Sequence, residues 1–410
     1  MAEFDETAAN HVCIVGGGPA GVVLALILAR NGIPVTLIEA QADFDRDFRG
    51  DTLHAFSMEV LNQLNLADPV LELSNAKIEQ AVLGTDGGLV PIGDFFRLES
   101  AFPYIALVPQ ARLLERLVEE ASRYPNFRIR MNTTFTELLK TDGRTEGVRC
   151  VHDGEARNIP ARLVIAADGR NSAVRQQAGI ELCRTSPPMD VLWFKLPRLK
   201  RAGWSGGFQA RLGTGTMLAM LDRGDEWQMG FVILKGSYRD IRNAGIDAFR
   251  EQLTGLVPGL EESFSHLRDW SQISILSVIT GRVEKWHQPG LLLIGDAAHV
   301  MSPVGGVGIN YAIQDAVSAA NVLTPQLEQG TISEQDLAEV QRRRESAVDF
   351  IQKLQRLFQN RIIAAALKSD KPFQPPLPMR LLSRVPFFRR KFAQVLAYGL
   401  KPEILDSSLI

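Results

Sequence analysis

The sequence predicts an α/β fold whose parallel sheet binds one extended dinucleotide. Three glycine-centred stretches indicate this fold, because each follows a short apolar run of strand character. They are Gly16–Gly21 (GGGPAG), Asp168-Gly169 and Gly295-Asp296. A single stretch of this kind is a weak signal. Three of them, spread over most of 410 residues, indicate one nucleotide-binding domain that the chain leaves twice and re-enters.

The first stretch has the G-x-G-x-x-G spacing between a predicted strand at 12–15 and a predicted helix at 22–30. In such a turn the first glycine permits the sharp bend, the second admits a pyrophosphate, and the third lets helix and strand pack closely. The N-terminus of the helix then faces the phosphates with unpaired N–H groups. The predicted cofactor contacts here are Gly16, Gly18, Ala20 and Gly21.

A second predicted strand, at 34–38, ends in Glu39, where a carboxylate is expected to accept hydrogen bonds from ribose hydroxyls. The strand, the helix and the acid together favour nucleotide binding over an ordinary glycine-rich turn. A carboxylate at this position also argues against a 2′-phosphate, and therefore against NADP in this pocket.

The composition is that of a globular protein with two or three domains, 45% hydrophobic and 22% charged. The net charge of −2 gives no reason to expect a nucleic-acid partner. The three cysteines are isolated, so neither a disulfide framework nor a zinc or other metal site is expected. The polar N-terminus does not resemble a signal peptide, and no apolar run is long enough to span a membrane, so a cytoplasmic location is expected.

The other two stretches favour FAD over NAD as the dinucleotide. The second has the spacing D-G-x-x-S-x-x-R, and the third is followed by a glycine-rich loop and a helix that starts near Ile309. A carboxylate delivered by a strand can hold the ribityl chain, and the N-terminal end of the helix dipole would stabilise negative charge on the pyrimidine edge of a reduced flavin. The predicted contacts are Asp168, Gly169, Gly295, Asp296, Gly308, Ile309 and Asn310.

These motifs, in this order, resemble the group A flavoprotein monooxygenases, the family of para-hydroxybenzoate hydroxylase, the ubiquinone-biosynthesis hydroxylases and the aromatic polyketide hydroxylases. The resemblance covers roughly residues 11–330. It implies an FAD-binding Rossmann-like domain of the para-hydroxybenzoate hydroxylase type, with an inserted antiparallel substrate sheet and a C-terminal helical segment. It also implies that Arg49, in an Arg-Gly-Asp loop, and Gln110, before a predicted helix, contact FAD.

The resemblance and the changes in pattern along the chain predict the domain boundaries. The FAD-binding domain comprises 1–77, 106–186 and 281–370, and the substrate domain comprises 78–105 and 187–280. Segment 371–410 is a C-terminal helical tail, basic and apolar between 379 and 401. Such a segment can lie on a membrane, but we favour a helix docked on the nucleotide domain with its basic face in solvent.

The implied reaction uses NADH or NADPH to reduce non-covalently bound FAD. Oxygen then adds to give a flavin C4a-hydroperoxide, and one oxygen atom passes to an aromatic or other electron-rich small molecule. The choice of nicotinamide, the substrate and the state of assembly, monomer or homodimer, stay open. The family register makes His54 and Pro303 the candidate catalytic residues. For His54 the hypothesis is a proton relay, since a histidine pKa can lie near neutrality, and the alternative is support of the Arg49 loop.

Several interpretations compete with these. His299 is expected to pack and hydrogen-bond rather than catalyse. A flavin-linked reductase of the same fold would not use O₂, and a flavin-dependent halogenase would carry a W-x-W-x-I-P signature, which is missing here. Eight large side chains of the predicted sheet could line an apolar substrate pocket, although side chains at alternating strand positions are more often plain core. They are Trp193, Phe194, Phe208, Met217, Met220, Trp227, Met229 and Phe231.

Overall fold

A computed structural model describes residues 10–45, 50–74, 76–85, 88–199, 207–371 and 373–410. Within these ranges the first eleven strands are β1 Val12–Val15, β2 Val35–Ile38, β3 Thr52–Leu53, β4 Ala76–Ile78, β5 Gln80–Thr85, β6 Gly88–Asp94, β7 Ile105–Leu107, β8 Phe127–Arg130, β9 Thr133–Thr141, β10 Arg144–His152 and β11 Glu155–Pro160. The remaining strands are β12 Leu163–Ala166, β13 Leu182–Thr185, β14 Met189–Pro197, β15 Phe208–Gly213, β16 Thr216–Asp222, β17 Glu226–Leu234, β18 Ser274–Leu276, β19 Thr280–Val283, β20 His287–Gln288, β21 Leu291–Leu293 and β22 His299–Val300.

The helices are α1 Pro19–Arg30, α2 Ala55–Gln63, α3 Ala67–Leu71, α4 Gln110–Ala121, α5 Ala173–Gln177, α6 Tyr238–Ala244, α7 Ile246–Leu256, α8 Glu261–Phe264, α9 Gly308–Glu328, α10 Glu334–Phe358, α11 Ala364–Leu367, α12 Leu377–Leu382 and α13 Pro386–Tyr398. A π-helical turn at Gln359–Ile363 joins α10 to α11. Between α2 and α3 the chain passes through Asn65, which is in the left-handed conformation with a φ of +60°.

A six-stranded sheet in the order β20-β21-β12-β1-β2-β8 carries the nucleotide-binding motifs. Its neighbours are parallel except for the β20–β21 pair. The strands β1, β2, β12 and β21 are buried along their whole length, as expected of a parallel sheet covered by helices on both faces. The chain runs from β1 through α1 to β2 on one side, while β12 pairs on the other side of β1. The order therefore reverses at β1, and ligands of open α/β sheets bind at such a switch point.

The second large sheet has seven strands in the order β18-β14-β17-β16-β15-β5-β6. Segments 80–94 and 189–276 both contribute strands to it, although 94 residues separate β6 from β14. Its pairs are antiparallel except for β15 and β5, which run parallel. The chain also forms α6, α7 and α8 between β17 and β18, which sequence analysis did not predict. Because α7 packs its buried Phe249 and Leu253 against the sheet, these helices cover one of its faces.

The C-terminal tail is docked on the rest of the protein. The Nε of Arg389 lies 2.8 Å from Asp94 Oδ2 of β6, and the hydroxyl of Tyr398 donates to Glu59 Oε1 of α2 at 2.6 Å. Side-chain amides of Asn321 on α9 and Gln63 on α2 donate to the backbone carbonyls of Ile404 and Leu405. The tail is therefore docked, as sequence analysis favoured. It contacts the nucleotide-binding domain through α2 and α9, and the second large sheet through β6.

Candidate functional site: a dinucleotide cleft at the switch point

The three glycine-centred stretches meet at the carboxyl ends of β1, β12 and β21. Gly16 has a φ of +108°, and a Cβ atom at this position would lie 2.5 Å from the carbonyl oxygen of Ala167 at the end of β12. A Cβ on Gly21 would overlap the carbonyl oxygen of Gly16 itself. Gly295 approaches the same turn, since its hypothetical Cβ would be 3.2 Å from the methyl group of Ala20. The first glycine turn and the end of β12 are therefore packed at distances that only glycine permits, and Gly295 lies close against them.

Glu39 lies at the end of β2, against the glycine turn, and is 5% exposed. Its Oε2 accepts a hydrogen bond from the backbone N–H of Gly17 at 2.7 Å, and its Oε1 accepts one from Gln41 at 3.0 Å. These two hydrogen bonds hold the carboxylate in a fixed orientation, which suits an acceptor for ribose hydroxyls.

Asp168 follows β12, and one of its two carboxylate oxygens accepts a hydrogen bond from the helix α5 that comes after it. Its Oδ2 accepts from the backbone N–H of Val174 at 3.1 Å, whereas its Oδ1 is buried and has no hydrogen-bond partner in the described part of the chain. Burial raises the pKa of this carboxyl group, and hydrogen bonds from Ser172 and from backbone N–H groups only partly counter that effect. A buried acceptor without a donor is costly, so the orphaned oxygen fits a ligand hydroxyl.

The turn that carries Gly295 and Asp296 is held in place by a buried network of Asp315, His299 and Arg344. Asp315 on α9 accepts from the backbone N–H of Gly295 at 2.9 Å and from His299 Nε2 at 2.6 Å through its Oδ2. Its Oδ1 accepts from Arg344 Nε at 2.9 Å, and all three side chains are at most 1% exposed. His299 is therefore committed to Asp315, as the packing interpretation expected. Asp296 itself is half-buried.

Helix α9 begins at Gly308, one residue before the predicted position, and its first N–H groups open beside the loop 303–307. The side chain of Asn310 is fully engaged: its Oδ1 accepts from the backbone N–H of His54 at 2.8 Å and from Ser57 Oγ at 2.7 Å. Its Nδ2 donates to the carbonyl oxygens of Thr52 and Gly306, both at 3.1 Å. The side chain of Asn310 therefore has no capacity left for a cofactor, and the start of α9 offers only backbone N–H groups, which at a helix N-terminus favour anionic ligands.

Arg175 is the arginine of the D-G-x-x-S-x-x-R spacing, and sequence analysis assigned it no role. It is 1% exposed, and its guanidinium donates to the carbonyl oxygen of Ala297 at 2.9 Å and to that of Arg170 at 3.0 Å. One side chain thus joins the second glycine stretch to the third. The signal was present in the D-G-x-x-S-x-x-R spacing, but the partner at Ala297, 122 residues away, is visible only in three dimensions.

The Arg49 position lies outside the described residues. The adjacent Asp51 is paired with the buried Arg223 of the substrate sheet and accepts from the backbone N–H of Gln110 at 3.2 Å through its Oδ1. Gln110, expected just before this helix, is the first residue of α4 and is anchored to the Arg-Gly-Asp loop by this contact. Asp51 therefore connects the loop, α4 and the second sheet, and its charge is compensated.

His54 is completely buried directly before α2. Its Nδ1 donates to the carbonyl oxygen of Leu396 in the tail at 2.7 Å, which leaves Nε2 as a buried acceptor without a partner among the described residues. Burial lowers the pKa of His54 to about 4, although the hydrogen bond to Leu396 opposes this shift. The neighbouring Ala55 packs in the same apolar cluster as Trp193 and Phe208 of the second sheet.

Two glutamines of the α10 segment hold the loop around Pro303, and sequence analysis did not identify them. Gln355 Nε2 donates to the carbonyl oxygens of Ser302 at 3.0 Å and of Val304 at 2.8 Å. Gln359 Nε2 lies 2.5 Å from Ser302 Oγ and opens the π-helical turn. Such turns occur often at functional sites. Pro303 thus belongs to a loop whose carbonyl groups are fixed on both sides.

The two faces of the second sheet divide the eight pocket candidates. Five of them pack against α7 and α8 and are plain core: Phe194, Met220, Trp227, Met229 and Phe231. The other three lie on the opposite face, with residues of the nucleotide-binding domain and the tail: Trp193, Phe208 and Met217.

A model of the family described as "FAD binding domain" matches residues 9–352. The pocket fits that cofactor, because it combines the glycine turn, the oriented Glu39 and the orphaned Asp168 oxygen. The chain belongs to the group A FAD-dependent monooxygenase family. It is an oxidoreductase whose cofactor is FAD. Glu39, Asp168, Asp296 and the start of α9 are the groups that would hold FAD.

A relative of this monooxygenase aligns with nearly its full length. The chain is 32% identical over 400 residues to 6-methylpretetramide 4-monooxygenase from Streptomyces rimosus, with 96% of this chain and 93% of the relative aligned. Two solved structures have the same fold. PqsL from Pseudomonas aeruginosa has a TM-score of 0.75 at 20% identity and covers 87% of this chain and 97% of its own. The anhydrotetracycline hydroxylase OxyS from Streptomyces rimosus has a TM-score of 0.74 at 23% identity and covers 94% and 75%.

No group of three or more histidine, cysteine, aspartate or glutamate side chains is arranged to hold a metal ion in the described ranges. No described helix is both long and apolar enough to cross a bilayer.

Proposed function

We propose that this monooxygenase hydroxylates a flat phenolic compound of several fused rings, with NADH or NADPH as reductant and O₂ as oxidant. The relative over nearly the whole chain is named for oxygenation of 6-methylpretetramide. That name supports a polycyclic aromatic substrate over the other electron-rich molecules that the sequence leaves open. Bound FAD supplies the redox chemistry, and the protein must hold the ring and exclude water.

The observation that carries this proposal is a partly exposed alanine in the middle of the second sheet. Ala219 lies on the interior strand β16, where a residue would normally be covered, yet it is not buried. Its cross-strand neighbours are Ala210 and Gly230, and the indole of Trp193 lies over Gly230. A row of small side chains across three strands leaves a shallow floor on the face that meets the nucleotide-binding domain. An apolar floor with an aromatic wall is typical of pockets for flat ligands.

A polar group is available at the same floor. The Nε1–H of Trp193 is buried and has no acceptor among the described residues. Buried indole N–H groups usually find a hydrogen-bond partner, so we assign this donor to an oxygen atom of the substrate. The substrate would then be oriented by one directional contact and by the shape of the floor.

For His54 we propose a role as a neutral acceptor. With its pKa lowered to about 4, the imidazole stays uncharged at neutral pH, and the hydrogen bond to Leu396 fixes the tautomer with an unprotonated Nε2. Such a group can orient a phenol or a water chain but cannot store a proton near pH 7. This is a narrower role than the relay predicted from the sequence.

A panel of phenols with one to four fused rings tests the proposal. The holoenzyme is assayed for substrate-stimulated oxidation of NADH and NADPH, for O₂ uptake and for product mass. We expect stimulation by the larger ring systems and the gain of one oxygen atom. Nicotinamide oxidation without O₂ uptake would establish the flavin-linked reductase instead.

Ala219→Leu tests the position of the substrate. The larger side chain would fill the floor, so stimulation by the substrate should be lost while the flavin spectrum persists. Ala156→Leu, on the exposed strand β11, is the matched control. Equal activity of the two variants would show that the substrate does not bind at this face of the sheet.

A further inference from the structure

The docked tail leaves an apolar and basic surface exposed. Helix α12 and the start of α13 present six large apolar side chains to solvent, among which Leu377 is 65% and Phe387 59% exposed. We name this surface the tail patch and define it by Leu377, Leu381, Leu382, Val385, Phe387 and Phe388 together with Arg380 and Arg384. Single exposed apolar residues are normal, but a cluster of this kind within twelve residues marks an interaction site.

The tail patch cannot turn inward, because the opposite face of α13 is already packed. Ala393 and Ala397 are buried at helical spacing against the α2 and β6 region. Arg389, one turn before Ala393, is held by Asp94 and also donates to the carbonyl oxygen of Ser383 at 2.9 Å. These contacts fix the rotation of α13 about its axis. The two phenylalanines therefore point away from the protein core.

The charge on this surface has one sign. Residues 371–402 contain no aspartate or glutamate and seven basic residues: Lys371, Arg380, Arg384, Arg389, Arg390, Lys391 and Lys401. Arg389 and Arg390 are paired with Asp94 and Glu99 elsewhere on the protein. Arg380 and Arg384 have no acidic partner in the ranges that the structure describes, and they stand between the exposed leucines. The positive charge of the tail patch is thus uncompensated.

We propose that the tail patch docks the enzyme on the surface of an anionic lipid bilayer. Leucine and phenylalanine side chains can enter the boundary between headgroups and acyl chains, while neighbouring arginines bind the phosphates. The contact is peripheral, since no described helix can span a membrane. A second copy of this chain is a poorer occupant, because a symmetric contact would bring the unpaired arginines of both copies together.

Vesicle flotation of the FAD-loaded protein tests this proposal. We expect the protein to float with phosphatidylcholine vesicles that contain one-third phosphatidylglycerol, and to stay behind with pure phosphatidylcholine. Adding about 0.5 M salt should reduce the bound fraction, because screening shortens the reach of the arginine charges. The double variants Arg380→Glu/Arg384→Glu and Phe387→Ser/Phe388→Ser should each bind about tenfold or more weakly.

Matched controls separate the tail patch from general surface properties. Arg239→Glu/Arg268→Glu changes two exposed arginines elsewhere, and Ile275→Ser changes an exposed apolar residue on the opposite edge of the sheet. All variants should keep the flavin absorption, which verifies folding. Binding to both kinds of vesicle alike, or equal loss of binding in the controls, would overturn the proposal. So would a lack of flotation, or a change in sedimentation of the phenylalanine variant without vesicles, which would indicate a protein partner or a second copy.

Discussion

Replacing the buried Asp315 by asparagine should destabilise the protein and weaken its hold on FAD. The carboxylate is fully buried, accepts hydrogen bonds from His299 and from the backbone N–H of Gly295, and is paired with the guanidinium of Arg344. Asparagine keeps the shape and one acceptor but leaves Arg344 buried without a counter-charge. Breaking such a pair costs about 3–5 kcal/mol, a large part of the ~5–15 kcal/mol that typically separates folded from unfolded proteins.

The effect on FAD follows from the contact with Gly295. If the turn that carries Asp296 loses its fixed position, the cofactor must order it on binding. We expect the dissociation constant for FAD to rise about tenfold, corresponding to roughly 1.4 kcal/mol. Urea unfolding followed by tryptophan fluorescence measures the first effect, and titration of the apoprotein with FAD measures the second.

The pH dependence of the same variant gives an independent check. Burial alone would raise the pKa of Asp315, but the charges and hydrogen bonds of His299 and Arg344 outweigh it, so the pKa lies below its usual value. A lowered folded-state pKa stabilises the protein above the unfolded pKa of about 3.9, and that stability is lost as the pH falls through the folded value. The difference between wild type and variant should therefore be constant near neutrality and shrink in acid.

Asp349→Asn is the matched control for this prediction. Asp349 is paired with Arg282 and Lys353 at 2.5 Å each, but on the surface, where an ion pair contributes at most about 1 kcal/mol. An equal shift of the urea midpoint in the two variants would refute the argument from burial. Unchanged FAD affinity in Asp315→Asn would refute the link through Gly295.

Three further predictions concern the cofactor and the reaction. Asp296→Ala should weaken FAD binding more than Glu39→Ala, because Asp296 would hold the ribityl chain beside the flavin. A charge-assisted hydrogen bond contributes about 1.5–3 kcal/mol, so the affinity should fall roughly ten- to a hundredfold against wild type. Titration of both apoproteins with FAD tests the order, and equal affinities contradict it. Arg175→Met should lower FAD affinity and leave two carbonyl groups without donors, with Arg356→Met, on the exposed side of α10, as the control. His54→Ala should keep FAD and substrate-stimulated oxidation of nicotinamide but release more H₂O₂ and less product, whereas a purely structural role predicts weaker FAD binding with unchanged coupling.

Much of the fold could be predicted from local patterns. The strand–turn–helix of 12–30 and the strands after Asp190 follow from apolar periodicity and turn residues, which depend on neighbours in the chain. The glycine spacings also predicted the cofactor cleft, because backbone bends of this kind have few sequence solutions. The helices α6 to α8 were not predicted, because they lie between segments of the chain with strong strand character.

The sequence by itself determined the fold class, the three nucleotide motifs and, through them, the family. Only the tertiary structure decided which polar side chains are engaged elsewhere. Asn310 is saturated by residues about 250 positions away, His54 is bound to a carbonyl 342 positions away, and Asp51 is paired with an arginine 172 positions away. The alternation of side chains along β14 to β17 predicts that the sheet has two different faces. Only the packing of α7 against one of them shows which face is core. The physical reason is that hydrogen bonding and burial depend on distance in space, which chain-local periodicity does not encode.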